Sequence, residues 1–127
     1  MSIDASLQRL AQQQAEDMLR NLSGVVAVIV SSIDGFDVAS AVTRGVEPAR
    51  IAAMASSIAA IGAVVSQEAR LGRTRSVTIS TDDGFAVVST ARRSDIELVV
   101  NVIADSNAVL AQVAWRSNEC VKALQAA

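Results

Sequence analysis

Apolar residues recur at helical spacing near the start of the chain. Leu7, Leu10, Ala11, Met18, Leu19 and Leu22 fall among Gln12, Gln13, Gln14, Glu16 and Asp17, which predicts an amphipathic helix from about Asp4 to Leu22. Ser23-Gly24 stops it. Val25 to Ile33 is a near-continuous β-branched run, the pattern of a strand covered on both faces. Asp34-Gly35 then supplies the positive φ angles of a tight hairpin, and Phe36 to Val42 returns as a second strand. Glu47-Pro48 opens the next element, because proline at the first helical position loses no useful N–H and its φ already suits a helix. That helix runs to about Leu71, with Gly72 as its glycine cap and Arg70 complementing the helix dipole.

The rest of the pattern predicts a three-stranded meander and a closing helix. Arg75 to Thr81 alternates, with Val77 and Ile79 to one side and Thr78 and Ser80 to the other. Asp82-Asp83-Gly84 turns it, Phe85 to Ala91 returns, Arg92 to Asp95 turns again, and Ile96 to Ile103 is the last strand. Asp105 to Asn107 offers caps for a helix to about Ala126 with Val109, Leu110, Val113, Val121 and Leu124 on one stripe. The predicted order is α-β-β-α-β-β-β-α, an α/β (α+β) fold in a single domain over 1–127. The two hairpins, SSIDGFDVASA and STDDGFAVVSTA, echo each other through turn chemistry alone and are not a repeat.

On a wheel at about 100° per residue the central helix separates two faces. Ile51, Met54, Ile58, Ile61 and Val65 form a bulky face expected on the sheet. Ala52, Ala53, Ser56, Ala60, Ala63, Val64 and Gln67 form a small, uncharged one, which would let a second helix approach to the lower end of about 8 to 10 Å. Helix-favouring alanine on a solvated surface is the competing account. A solvated face ordinarily carries charge, however, and there is none between Arg50 and Glu68. The third strand adds to this, because a meander leaves it at an edge. Val77, Thr78, Ile79 and Ser80 include no Pro or Lys to protect that edge, so pairing with a symmetry mate would satisfy its main-chain groups.

Composition narrows the function classes. Hydrophobic residues are 51% of 127, high for a small chain, so part of the apolar surface is expected to meet a partner. Phe36, Phe85 and Trp115 are the only aromatics and the formal charge is -2, which argues against nucleic acid. Trp115 is expected against the sheet or at its rim, with a partner anchor as the alternative. Ten of the eleven basic residues are Arg, the codon bias of a GC-rich, bacterial genome. One cysteine, Cys120, excludes an internal disulfide, reads as a small semi-buried hydrophobe, and fits a reducing cytoplasm. Met1-Ser2-Ile3-Asp4 has no basic segment before an apolar one, so no signal peptide is expected. The apolar stretch from Ile51 to Val65 falls short of the roughly 20 residues of a bilayer span, so no membrane span is expected.

Catalytic and cofactor chemistry is missing its residue types. There is no His to build a zinc site with Cys120 or to activate a Ser or Thr nucleophile. Phosphate-binding Gly-x-x-x-x-Gly-Lys-Ser/Thr and dinucleotide-binding Gly-x-Gly-x-x-Gly do not occur either, so no cofactor and no enzyme activity are expected. Charge is placed more pointedly. Hairpin geometry sets Arg73 and Arg75 beside Arg92 and Arg93, with Arg70 close by and Glu68, Asp95 and Glu97 as partial offsets; Asp82, Asp83 and Asp105 gather at the other end. This is either ordinary solubilising charge or a basic dock for an acidic surface.

The hairpin SSIDGFDVAS, a spacer, the helix beginning EPARIAAMASSIAAIG, its end in EARLGRTRSV and three closing strands together resemble a Roadblock dynein light-chain domain. The resemblance runs from about Ser2 to the C-terminus. It implies a Roadblock/profilin-like five-stranded antiparallel sheet, with the central helix on one face and the terminal helices on the other. It also implies a homodimer across the third strand and central helix, and a non-catalytic module that regulates or scaffolds a small Ras-like GTPase. A small-molecule sensor or a structural adaptor without a GTPase is the alternative. The family shares no catalytic residue, so no arginine finger carries over.

Overall fold

The computed structural model describes residues 3–43 and 45–127. Met1, Ser2 and Arg44 lie outside them, and with them part of the segment read above for a leader. At the start of the first helix the Asp4 carboxylate accepts from the Ser6 N–H at 2.8 Å, an N-cap that starts α1 (Ala5–Asn21). It is followed by β1 (Val25–Ser32), β2 (Asp37–Val42), α2 (Pro48–Glu68), β3 (Ser76–Thr81), β4 (Gly84–Arg92), β5 (Glu97–Asp105) and α3 (Leu110–Ala126). This is the order the pattern predicts.

The strands form one antiparallel sheet in the order β2-β1-β5-β4-β3. β1 and β5 lie inside it, which is why their sequences are nearly continuous in Val, Ile and Leu. Successive side chains go to opposite faces. Val28, Val30, Val100, Val102 and Leu98 meet Leu7, Ala11, Met18, Val113 and Leu124 of α1 and α3. Ala27, Ile29, Val88 and Val99 meet Ala52, Ala55 and Ala59 of α2. Arg116 ties α1 to α3, bonding Asp17 and Gln14 at 2.9 Å each. That bond, ahead of the opposing desolvation, holds the Asp17 carboxyl below its ordinary range.

Five sequence expectations need correction. The first hairpin is a four-residue loop, 33–36, in which only Gly35 has positive φ. α2 stops at Glu68 rather than Leu71. The Leu71 N–H bonds the Ser66 carbonyl at 2.8 Å and the Arg70 N–H bonds that of Gln67 at 3.1 Å, a Schellman turn with Arg70 at φ 57 where glycine is usual. Asp105 to Asn107 caps no helix; Asp105 accepts from the Asn107 N–H at 2.9 Å in a local turn, and α3 starts at Leu110.

The fourth correction matters most. The bulky side of α2 covers the sheet only in part. Ala52, Ala55 and Ala59 lie fully against it, with Gly62 against β3; Ile51 and Ile58 pack on it half-buried, while Met54, Ile61 and Val65 face outward. The close approach demands small residues, because a Cβ at Gly62 would lie 2.7 Å from Val77 Cγ2. α2 has 21 residues and is the one helix among the described residues that is long and apolar enough to cross a membrane, so the expectation that its apolar stretch is too short fails on length. Spanning would require peeling those three buried alanines off the sheet.

Candidate functional site

The sheet has two edges, and they are finished differently. Thr43 N–H bonds the Val26 carbonyl at 3.0 Å, so the two-residue period of an antiparallel ladder turns the main-chain groups of Val38 and Ser40 outward from β2. Two α1 glutamines close that edge. Gln12 takes the Ser40 N–H at 3.1 Å and donates to its carbonyl at 2.8 Å, and Gln8 donates to the Val38 carbonyl at 3.2 Å. At the other edge, Thr90 N–H bonds the Arg75 carbonyl at 3.1 Å, so Ser76, Thr78 and Ser80 turn their N–H and C=O groups outward from β3. No side-chain bond to them is found among the described residues. An uncapped, uncharged edge strand is a template for another strand.

Beside that edge lies the outer face of α2. Thr74 Oγ1 donates to the Gly62 carbonyl at 2.9 Å and contacts Ser66 Oγ at 2.7 Å, fixing the C-terminal half of α2 next to the start of β3. Of the small residues predicted for an interface, Ala53, Ala60, Ala63, Val64 and Gln67 are exposed and Ser56 is half-buried. On β3, Thr78, Ile79 and Ser80 are exposed, while Val77 packs under α2 against Ala55 and Ala59. The sequence reading missed Met54, Ile61, Val65 and Leu71, which are also exposed, Ile61 by 64% and Leu71 by 75%. The regular spacing of Ala52, Ala55, Ala59 and Gly62 was the available signal. A stripe of the smallest residues marks closest approach, and here the sheet is what approaches.

The arginine group is only partly assembled. Arg73, Arg75 and Arg92 line one open groove between α3 and the β3–β4 hairpin, and Lys122 joins them from α3. Arg93 is turned away. It pairs with Asp95 at 2.9 Å, bonds the Ala127 carbonyl at 2.9 Å, and contacts the Leu124 carbonyl, tying down the end of α3. Its hydrogen bonds to Asp95 are the main cause holding that carboxyl below its ordinary range. Arg70 is exposed at the end of α2 and does not line the groove. Trp115 is 65% exposed on the side of α3 away from the buried Val113 and Ser117, so the expectation that it packs on the sheet is corrected.

Cys120 is fully buried under α3, and burial pushes its thiol up to about 11, with Arg116 opposing weakly. The thiolate is the reactive form. At pH 8 a disulfide reagent should therefore label Cys120 only as fast as the chain opens, with a rate that rises steeply in urea. Because the folded value lies above the unfolded one, this group contributes stability below about pH 9 that is lost as pH rises through 11. Among the described residues no group of three or more Cys, Asp or Glu could hold a metal ion. A cavity of about 410 Å³ at the β1–β2 loop, lined by Ile3, Gln8, Ser32, Phe36, Asp37 and Val38, is half open to solvent.

A sheet between one helix and two, with one sealed edge and one open edge beside an apolar helix face, defines an α/β interaction domain. The chain belongs to the Roadblock/LC7 domain family, whose pattern matches residues 11–101. This is a family of interaction domains. The Roadblock/LC7 domain from Streptomyces avermitilis has a similar structure, with a TM-score of 0.80 and 20% identity over 91% of this chain and 94% of that one. The gliding protein MglB from Thermus thermophilus gives 0.85 at 15% identity over 99% and 93%. An MglB with a tetrameric arrangement gives 0.81 at 18% identity over 99% and 92%. Among curated protein sequences, no match is found.

Proposed function

We propose that this chain is a non-catalytic homodimeric module of the bacterial cytoplasm that regulates or scaffolds a Ras-like small GTPase. The observation that carries self-pairing is the contrast between edges: β2 is sealed by Gln8 and Gln12, while β3 is left open beside the outward Ala60, Ile61 and Val64 of α2. Two copies related by a twofold axis along β3 would satisfy both sets of outward main-chain groups in a continuous sheet. The same axis would bring the two α2 helices together and withdraw their apolar faces from water. The tetrameric arrangement of one similar MglB supports self-association.

The GTPase part rests on the family and on its gliding-protein relatives. The chain has no nucleotide-binding loop of its own, so the partner carries the GTP. The test is to mix the chain with the Ras-like G domain encoded nearest to it and follow complex formation by gel filtration and phosphate release. A stable complex with an altered rate of hydrolysis or exchange is expected. No complex at about 50 µM, well above ordinary signalling affinities, would overturn the partner and leave self-pairing standing.

A further inference from the structure

The groove between α3 and the β3–β4 hairpin is a second surface that self-pairing along β3 does not use up. It exists because α3 packs on β4 and β5 and stops short of β3, leaving a trough of about 970 Å³. Its lining holds Arg73, Arg75, Arg92 and Lys122 and no carboxylate. That is four of the chain's eleven basic residues in one place, on a chain whose net charge is -2. The floor is mixed, with Ser76, Ser89 and Thr90 beside the apolar Val87 and Val121.

We propose that this groove docks an extended acidic segment of a partner protein. The cations stand on both walls, three on the strand side and Lys122 on the helix side, so a carboxylate-bearing chain lying between them would be met from two directions. Competing anions nearby are weak. Glu119 pairs with Lys122 at 3.2 Å, but both side chains are solvated and the pair is easily exchanged. Glu97 stands opposite Arg92 across β4 and β5 and does not line the groove.

Four cations around a mixed floor suit an extended chain that offers carboxylates to the rim and an occasional apolar side chain to Val87 and Val121. At about 970 Å³ and partly open, the trough has room for a segment rather than a small anion. Trp115 is exposed on α3 one turn before the groove residue Asn118 and does not itself line the groove. A nucleic acid would want a row of stacking platforms, and Trp115 is the chain's one tryptophan beside two phenylalanines. The groove lies within one chain, so the inference does not depend on the dimer. In a β3-paired dimer the two troughs would adjoin.

The probe is a fluorescein-labelled peptide of about 12 residues rich in Glu with interspersed Leu, titrated with the whole protein and followed by anisotropy and Trp115 fluorescence. Binding should weaken at least tenfold between about 50 and 500 mM salt, as charge screening requires. R75E/K122E should weaken it at least tenfold, R9E on α1 should leave it unchanged, and the same peptide with Gln for Glu should not bind. Sedimentation and circular dichroism check that the double variant is folded and still self-associates; should it misfold, K122E alone must show a loss. The proposal is overturned if the variants bind as the parent does, if the neutral peptide binds equally, or if a thymidine oligonucleotide of equal charge binds as tightly.

Discussion

Ala60→Glu should convert a self-associating protein into a monomer, weakening association about a thousandfold or more. Ala60 is exposed in the single chain, and glutamate is nearly as good a helix former as alanine, so the fold itself should be indifferent. In a twofold interface the substitution acts twice, placing two unpaired carboxylates between uncharged helix faces. Leaving a buried charge unpaired costs about 3 to 5 kcal/mol, which sets the scale. Thr78→Pro probes the strand half of the same surface. The Thr78 N–H points away from β4, so proline there removes an outward donor while the β3–β4 ladder keeps its bonds. At least a tenfold loss is expected, and urea unfolding of both variants should stay close to the parent once both are monomeric.

A large effect on folding is expected at Gly24. It joins α1 to β1 at φ +81, and a Cβ there would sit 2.4 Å from the backbone nitrogen of Ala108. Its carbonyl also accepts from the Asp105 N–H at 2.8 Å, so the chain before α3 cannot retreat without breaking that bond. Strain at positive φ and a clash with main chain add, and Gly24→Ala should cost about 3 kcal/mol or more, on the order of 10 °C in Tm. Gly72 supplies the control. It has φ +86 but open space around it, so Gly72→Ala should cost only about 1 kcal/mol. Equal losses at the two positions in urea titrations would mean that the packing of the α1–β1 junction against Ala108 is not what makes Gly24 necessary.

The elements were legible because local chemistry decides them. Val25 to Ser32 is β-branched throughout most of its length, Pro48 opens a helix, and the Asp82-Asp83-Gly84 turn is short. What the chain hides is direction. A wheel separates the faces of α2 but cannot say which one meets the sheet, and bulk misled, since Ala52, Ala55, Ala59 and Gly62 allow the closer approach. Arg93 sits beside Arg92 in sequence, yet the end of α3 claims it through carbonyls that only the tertiary fold brings near. Lys122 enters the groove for the mirror reason, arriving from a helix whose packing on β4 no hairpin rule predicts. Arg70 takes the left-handed position usually given to glycine two residues before an actual glycine, so the end of α2 was placed too late.

The family follows from the match over residues 11–101, and the proposed interface rests on the contrast between a sheet edge sealed by glutamine side chains and one left bare. Self-association through α2 and β3 is the claim on which the proposed regulatory role stands. Sedimentation equilibrium across about 1 to 100 µM tests it most directly, since that span brackets the affinities of ordinary transient and stable dimers. The account predicts a mass of twice 13.2 kDa at the upper concentrations, falling to 13.2 kDa for Ala60→Glu. A parent protein that stays at 13.2 kDa throughout would contradict it.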